Sequence, residues 1–322
     1  MKPFVRGWCG VVALVPAMMA AHPSLAQDDP SVDSVVWALE TTEHLVPAGR
    51  TVQSPEPFAV SEADDKAVYN PWNPTPRGQM REMSTDRPDK TESPYSVDAG
   101  RFQIELDFLS YAVDEDANLR TESLDVSPVN LKLGLTHRMD LQLIVDTYTR
   151  QTITNRVTGA RETVDDFGDV TVRLKRNLWG NDHGTTALAL MPFVKLPTGS
   201  DGIGNDAVEV GIIVPLAIRL SDRIGIGLMT EIDLLQDAED DGYSPTFVNT
   251  ATIGFDLTER AGLYTELFIE RSLDDDAKWV VTFDVGVTYS ATDDIQLDAG
   301  FNLGISGAAA DMNLFVGVAR RF

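Results

Sequence analysis

Cysteine is all but missing from this sequence: 322 residues hold one, Cys9. A disulfide framework is therefore excluded, and so is a catalytic thiol once Cys9 is shown to lie in a leader. Histidine is scarce as well, with four residues. Basic residues number 26 against 50 acidic ones, a formal charge of −24. Nucleic acid, which demands a basic footprint, is not an expected partner. Long apolar runs are lacking too. Beyond the N-terminus no stretch approaches the ~20 residues of a membrane-spanning helix.

What is present begins with a leader. Lys2 and Arg6 precede the uncharged run from Gly7 to Ala21, and Ser24-Leu25-Ala26 offers small residues for cleavage. Residues 1–26 are expected to be a secretory signal peptide cut near Ala26. Its removal takes Cys9, Lys2 and Arg6 and none of the 50 acidic residues. Between Gln27 and Asp98 lie 9 of the 17 prolines. Such composition predicts a mostly unpacked acidic arm over residues 27–98, with at most a short amphipathic helix around Trp37.

From residue 99 the texture changes to a period of two. In Trp279–Tyr289 the apolar residues Trp279, Val281, Phe283, Val285, Val287 and Tyr289 alternate with Thr282, Asp284, Gly286 and Thr288. That is a strand with one apolar and one polar face. At ~3.3 Å per residue and ~45° tilt, its two end aromatics stand roughly 23 Å apart, close to the ~25 Å apolar band of an outer-membrane barrel. The same alternation separates Phe102, Ile104, Leu106 and Phe108 from Gln103, Glu105 and Asp107, and Ile295, Leu297, Phe301 and Leu303 from Gln296, Asp298 and Asn302. Charges on the second face cannot face lipid, so that face must line an interior.

Twelve strands are predicted, near 101–111, 123–135, 139–149, 167–178, 185–196, 207–220, 224–235, 246–257, 261–271, 278–290, 295–305 and 311–322. Tight turns follow even-numbered strands at Thr136-His137-Arg138, Ser221-Asp222-Arg223 and Thr258-Glu259-Arg260. Acidic loops follow odd-numbered ones: Asp114-Glu115-Asp116, Asp165-Asp166, Asp237–Asp241 and Asp274-Asp275-Asp276. The expected fold is all-β: a single-chain antiparallel transmembrane β-barrel over residues 99–322, in the outer membrane of a Gram-negative bacterium. Pro128, Pro192 and Pro215 fall inside strands and require bulges or open pairing.

The run "STDRPDKTESPYSVDAGRFQIE" from Ser84, with "FGDVTVRLK" and "MPFVKLPTG" further on, resembles the outer-membrane transporter family named after the meta-cleavage pathway of phenol degradation. The resemblance implies an outer-membrane barrel and a transport role linked to aromatic catabolism. The family pattern carries an aromatic after the second Asp of the opening motif, where this chain has Lys90.

Read from the residues, Asp86-Arg87-Pro88-Asp89 is either a plug or latch within 84–98, with Arg87 paired to an inward carboxylate such as Glu105, or an ordered turn that registers the first strand. The candidate lumen lining is Glu105, Asp107, Lys132, Asp146, Arg173, Lys175, Arg219, Glu231, Asp233, Glu266, Asp284 and Asp298. Its acidic excess predicts a cation-favouring pore if the lumen is open, and a salt-bridged fill if it is not. No stripe of inward aromatics is expected. His44 falls in the arm, and His137 and His183 fall in short turns, so no catalytic residues are predicted. No cofactor and no metal centre are expected, although surface carboxylates suit weak divalent bridging to lipopolysaccharide. Phe322, last in an alternating run, is read as a signal for the barrel-assembly machinery through strand addition. The expected partners are therefore membrane lipid and lipopolysaccharide, that machinery and a small-molecule solute. A non-conducting structural or surface-interaction barrel is the alternative, and a secreted soluble β-protein is the third reading.

Overall fold

The computed structural model describes residues 66–322, apart from 127, 201–202, 206, 238–241 and 275–276. The predicted leader, the arm up to residue 65 with its patch around Trp37, and parts of two acidic loops lie outside the described residues. Fifteen strands follow in order: β1 (Phe102–Glu115), β2 (Leu119–Asp125), β3 (Val129–Thr136), β4 (Met139–Val145), β5 (Thr149–Asn155), β6 (Arg161–Asp166), β7 (Val170–Trp179), β8 (Thr186–Leu196), β9 (Glu209–Arg219), β10 (Ile224–Gln236), β11 (Tyr243–Asp256), β12 (Ala261–Ser272), β13 (Val280–Thr292), β14 (Ile295–Gly304) and β15 (Met312–Arg321).

These make twelve staves. β2 continues into β3, β4 into β5 and β6 into β7, each across a three-residue interruption, and the other nine strands run unbroken. Every neighbouring pair is antiparallel, and β15 pairs with β1 from Gln103↔Arg321 to Val113↔Met312, which closes the sheet. Closure leaves the barrel no edge to expose. The alternation read from the sequence fixes which side faces in. Phe283, Val287 and Tyr289 are exposed on the outside, while Thr282 and Asp284 are buried inside. Outward aromatics gather at both ends, with Phe102, Tyr289 and Phe322 near the tight turns and Tyr243, Phe247 and Trp279 near the loops. An apolar outside between two aromatic girdles, around a charged inside, is the outer-membrane arrangement. No helix among the described residues is long and apolar enough to cross a membrane, which says nothing of a β-barrel.

Three expectations need correction. Residues 112–122 and 150–166, read as loops, are largely strand. β1, β2, β5 and β6 rise beyond the interruptions as a sheet whose inner face is polar too, with Ser123, Gln151 and Thr152 buried, so alternation did not mark them. Residues 66–98, read as unpacked, lie against the barrel. Lys66 pairs with Asp182 at 2.5 Å, Arg77 with Asp294 at 2.9 Å and Arg81 with Asp98 at 3.2 Å. Too polar to build a core, this stretch borrows partners from the turns. Finally, β1 carries a bulge between Asp107 and Leu109, so Phe108 and Leu109 both face out and the inward set continues with Ser110 and Ala112.

The prolines are accommodated as their chemistry requires. Pro128 sits in the interruption between β2 and β3. Around Pro192 and Pro215 the ladders lose pairs: Leu174 and Lys175 have no partner on β8, and Ala189 and Leu190 none on β9.

Candidate functional site

The alternating charges of Asp86-Arg87-Pro88-Asp89-Lys90-Thr91-Glu92 meet the barrel wall in a matching pattern. The segment enters from the turn end and runs through the interior. Lys132 on β3, Arg173 and Lys175 on β7 and Lys195 on β8 form a basic arc. Glu266 on β12, Asp284 on β13, Asp298 on β14 and Asp107 on β1 form an acidic one. Asp86 lies 2.5 Å from Lys132 and 2.6 Å from Lys175, and Glu92 pairs with Arg173. On the other side Arg87 lies 2.5 Å from Asp107 and 2.8 Å from Asp298, and Lys90 lies 3.1 Å from Asp284. Glu266 accepts the backbone N–H groups of Lys90 and Thr91, each at 2.8 Å.

Arg87 thus does not pair with Glu105, as the sequence had suggested. Glu105 is held by Lys132 and accepts the Asp86 N–H at 3.1 Å. It sits two residues before Asp107 on the same face, so parity alone could not separate them. Gly317 on β15 makes room for the guanidinium, since a Cβ there would meet Arg87 Nη2 at 2.2 Å.

The titration of the segment follows its partners. Burial pushes the Asp86 carboxyl up, but Lys132 and Lys175 outweigh it and hold the group well below the usual carboxylate range. Burial raises Glu92 to about 6 against the pull of Arg173. Asp89 is raised well above its ordinary value by burial and then by neighbouring Glu266.

Of the residues singled out from the sequence, Glu105, Lys132, Arg173, Lys175, Glu231, Asp233, Glu266, Asp284 and Asp298 are buried in the interior, and Asp107 and Asp146 line the cavity there. Arg219 differs, lying exposed at the end of β9 by the turn-end rim. His137 and His183 are also at the turn end. Among the described residues no His, Cys, Asp or Glu group is placed to hold a metal ion.

Between the inner segment and the long loops remains a cavity of about 230 Å³. Asp86 to Lys90 and Glu92 border it on one side and Tyr148, Gly168 and Ile203 on the other. Its wall is not purely polar. Met191, Ile213, Met229, Val248 and Phe268 form a buried apolar cluster with Phe193 packed on it, and Phe193, Met229, Val248, Phe268 and Phe315 reach the cavity. No stripe of inward aromatics was expected from the sequence, and this mixed apolar cluster was not anticipated. The signal was available: the parity that turns Glu266 inward also turns Phe268 inward.

The family model described as "Putative MetA-pathway of phenol degradation" matches residues 85–322. The chain belongs to this family. The match opens within the inner segment and ends at the last residue, so segment and barrel together are the family unit. No protein of curated function matches the sequence. Among solved structures, the chain is similar to the NanC porin at 11% identity and TM-score 0.44, covering 68% of this chain and 98% of that one. It is similar to the CymD monoaromatic hydrocarbon channel at 8% identity and TM-score 0.42, covering 69% and 87%.

Proposed function

We propose that the protein is an outer-membrane channel for small solutes, closed from the turn end by residues 84–98, with small aromatic catabolites as its solute class. The observation that carries this reading is the cavity left between the inner segment and the loops. One part of its wall is apolar. An apolar cavity of ~150 Å³ suffices to bind benzene, so 230 Å³ accommodates a substituted single ring. The family's association with phenol degradation agrees with that size and lining. The inner segment acts as the plug: it is held by ion pairs to opposite arcs of the wall, which open only when it leaves.

The filled interior also favours a second reading, a barrel that never conducts. Planar-bilayer recordings of the full chain separate the two. Wild type should show rare openings, and Arg87→Ser with Lys90→Ser should raise open probability at least tenfold. Silence from both proteins, each shown to be folded by heat-modifiable migration, would leave the structural barrel as the answer.

A further inference from the structure

The wall of the cavity has one spot whose chemistry is incomplete. Glu231 and Asp233 are two residues apart on β10 and so point to the same side. Both line the cavity, and they are 8% and 1% exposed. Among the described residues neither forms an ion pair; the two carboxyls hydrogen-bond each other, and Asp233 Oδ1 is left without a partner. Glu209 and Glu270 add negative charge near Asp233. Arg173, whose charge reaches both carboxyls, is engaged by Glu92 of the inner segment. A buried carboxyl lacking a counter-charge is costly to keep.

Beside this acidic pair the wall is aromatic. Gly211 on β9 is the cross-strand neighbour of both Asp233 and Phe193. A Cβ at Gly211 would meet Asp233 Oδ1 at 2.1 Å and the Phe193 ring at 2.5 Å. The carboxylate and the ring are thus laid side by side over a glycine, a cradle that any side chain would fill. Met229, Val248 and Phe268 continue the apolar surface. That surface already holds an ammonium supplied by the chain itself, since Lys90 Nζ lies 4.2 Å from the centre of the Phe268 ring.

We infer that this side of the cavity is a binding subsite for a small organic cation, a primary ammonium on an aromatic or short alkyl body. The ammonium donates to Asp233 Oδ1 and supplies the charge that the Glu231–Asp233 pair lacks. It lies against the Phe193 face, as cations do on aromatic rings. The body packs on Met229 and Val248. A carboxylate-bearing aromatic of the same size would meet two buried acids and be rejected. The inference rests on the channel reading only for the route by which the solute arrives.

The test is calorimetric titration of the refolded full chain in detergent with benzylammonium, benzyl alcohol and benzoate. The expected order of affinity is benzylammonium, then benzyl alcohol, then benzoate. Asp233→Asn should weaken benzylammonium at least tenfold and benzyl alcohol less than threefold. Gly211→Ala should abolish binding of both while heat-modifiable migration is retained. Benzoate binding wild type as tightly as benzylammonium would overturn the inference, as would an unchanged affinity in Asp233→Asn or full displacement by equimolar magnesium chloride. If Asp233→Asn does not refold, the order of the three probes on wild type decides alone. Conductance recorded on the same preparations keeps the two readings apart. Conduction without benzylammonium binding defeats the subsite, and binding in a silent barrel defeats the channel.

Discussion

Replacing Asp86 by alanine should undock the inner segment and leave the barrel standing. Asp86 lies between two buried ammonium groups, 2.5 Å from Lys132 and 2.6 Å from Lys175. It also accepts the Ser93 N–H at 3.1 Å and a Gln142 side-chain N–H at 3.2 Å. Removing one partner of a buried ion pair costs about 3–5 kcal/mol, because the other charge stays buried without compensation. Lys132 keeps Glu105, so the orphan is chiefly Lys175 and the loss falls near the lower end, about 3 kcal/mol. That corresponds to about two decades in the docking equilibrium. The staves are joined by ladders that do not involve residue 86, so the loss falls on docking.

Trypsin reads this directly. Lys90 is buried against Asp284 when docked, so cleavage after Lys90 reports the undocked fraction when reclosing is fast. Asp86→Ala should be cut about 100-fold faster than wild type, with heat-modifiable migration unchanged. In a Lys175→Met background the same substitution should cost much less, because no ammonium is left stranded. Cleavage within threefold of wild type, or equal losses in both backgrounds, would show that the pairs to Asp86 do not hold the segment.

The pH response of docking has two limbs. The folded value of Asp86 is depressed, so its contribution is complete above about pH 4 and is lost as pH falls below that. Glu92 is raised from near 4.5 to about 6, so docking weakens as pH rises through that window, by about 2 kcal/mol; Asp89 acts in the same direction. Trypsin-type cleavage or conductance between pH 4.5 and 7 should therefore increase, with a smaller slope in Glu92→Gln, and a flat profile refutes the assignment. Phe283 faces lipid and Thr282 accepts from Lys90 Nζ inside at 2.8 Å. Phe283→Arg should therefore cost roughly 2–4 kcal/mol in refolding into lipid and Thr282→Arg less, and equal losses would mean the register is wrong. Released of its inner segment, the wall carries more inward carboxylates than bases, so reversal potentials in a salt gradient should show cation preference in the Arg87→Ser, Lys90→Ser variant; anion preference contradicts this. The Phe322 N–H closes the barrel seam on the Phe102 carbonyl at 2.8 Å, and Arg320 covers its ring at 4.6 Å. Deleting Phe322 should lower outer-membrane yield at low expression without blocking synthesis, and an unchanged yield removes its role in assembly.

Alternation carried the sequence a long way because a lipid-facing surface tolerates few exceptions. A charge on the wrong face of β13 or β14 would be expelled, so the pattern from Trp279 to Leu303 is nearly unbroken and gives staves, faces and closure together. Where lipid ends, that discipline ends. β2, β5 and β6 read "LRTESLD", "TRQTITN" and "RETVDD", polar on both faces, and nothing in period two distinguishes them from loops. The inner segment was illegible for another reason. Its order comes from pairs such as Arg87–Asp298 and Lys90–Asp284, nearly 200 residues apart in sequence or more, and local composition says only that Pro and Asp favour a turn. The inward apolar cluster was legible but overlooked, because Met229, Val248 and Phe268 sit singly among charged neighbours on three different strands.

The charges of the wall and of the segment explain one another. Twelve staves enclose too little space for a dozen buried ionisable groups to keep their water. An open lumen would leave Lys132 and Lys175 facing Asp298 and Asp284 across a narrow gap, a field that runs across the axis rather than along it. A segment that carries both signs in alternation satisfies both arcs at once, which a uniformly acidic or basic insert could not do. The same logic explains why Glu231 and Asp233 stand out. The segment sends Glu92 to Arg173 but no cation to β10, so among the described residues Glu231 and Asp233, like Asp146, line the cavity without an ion pair.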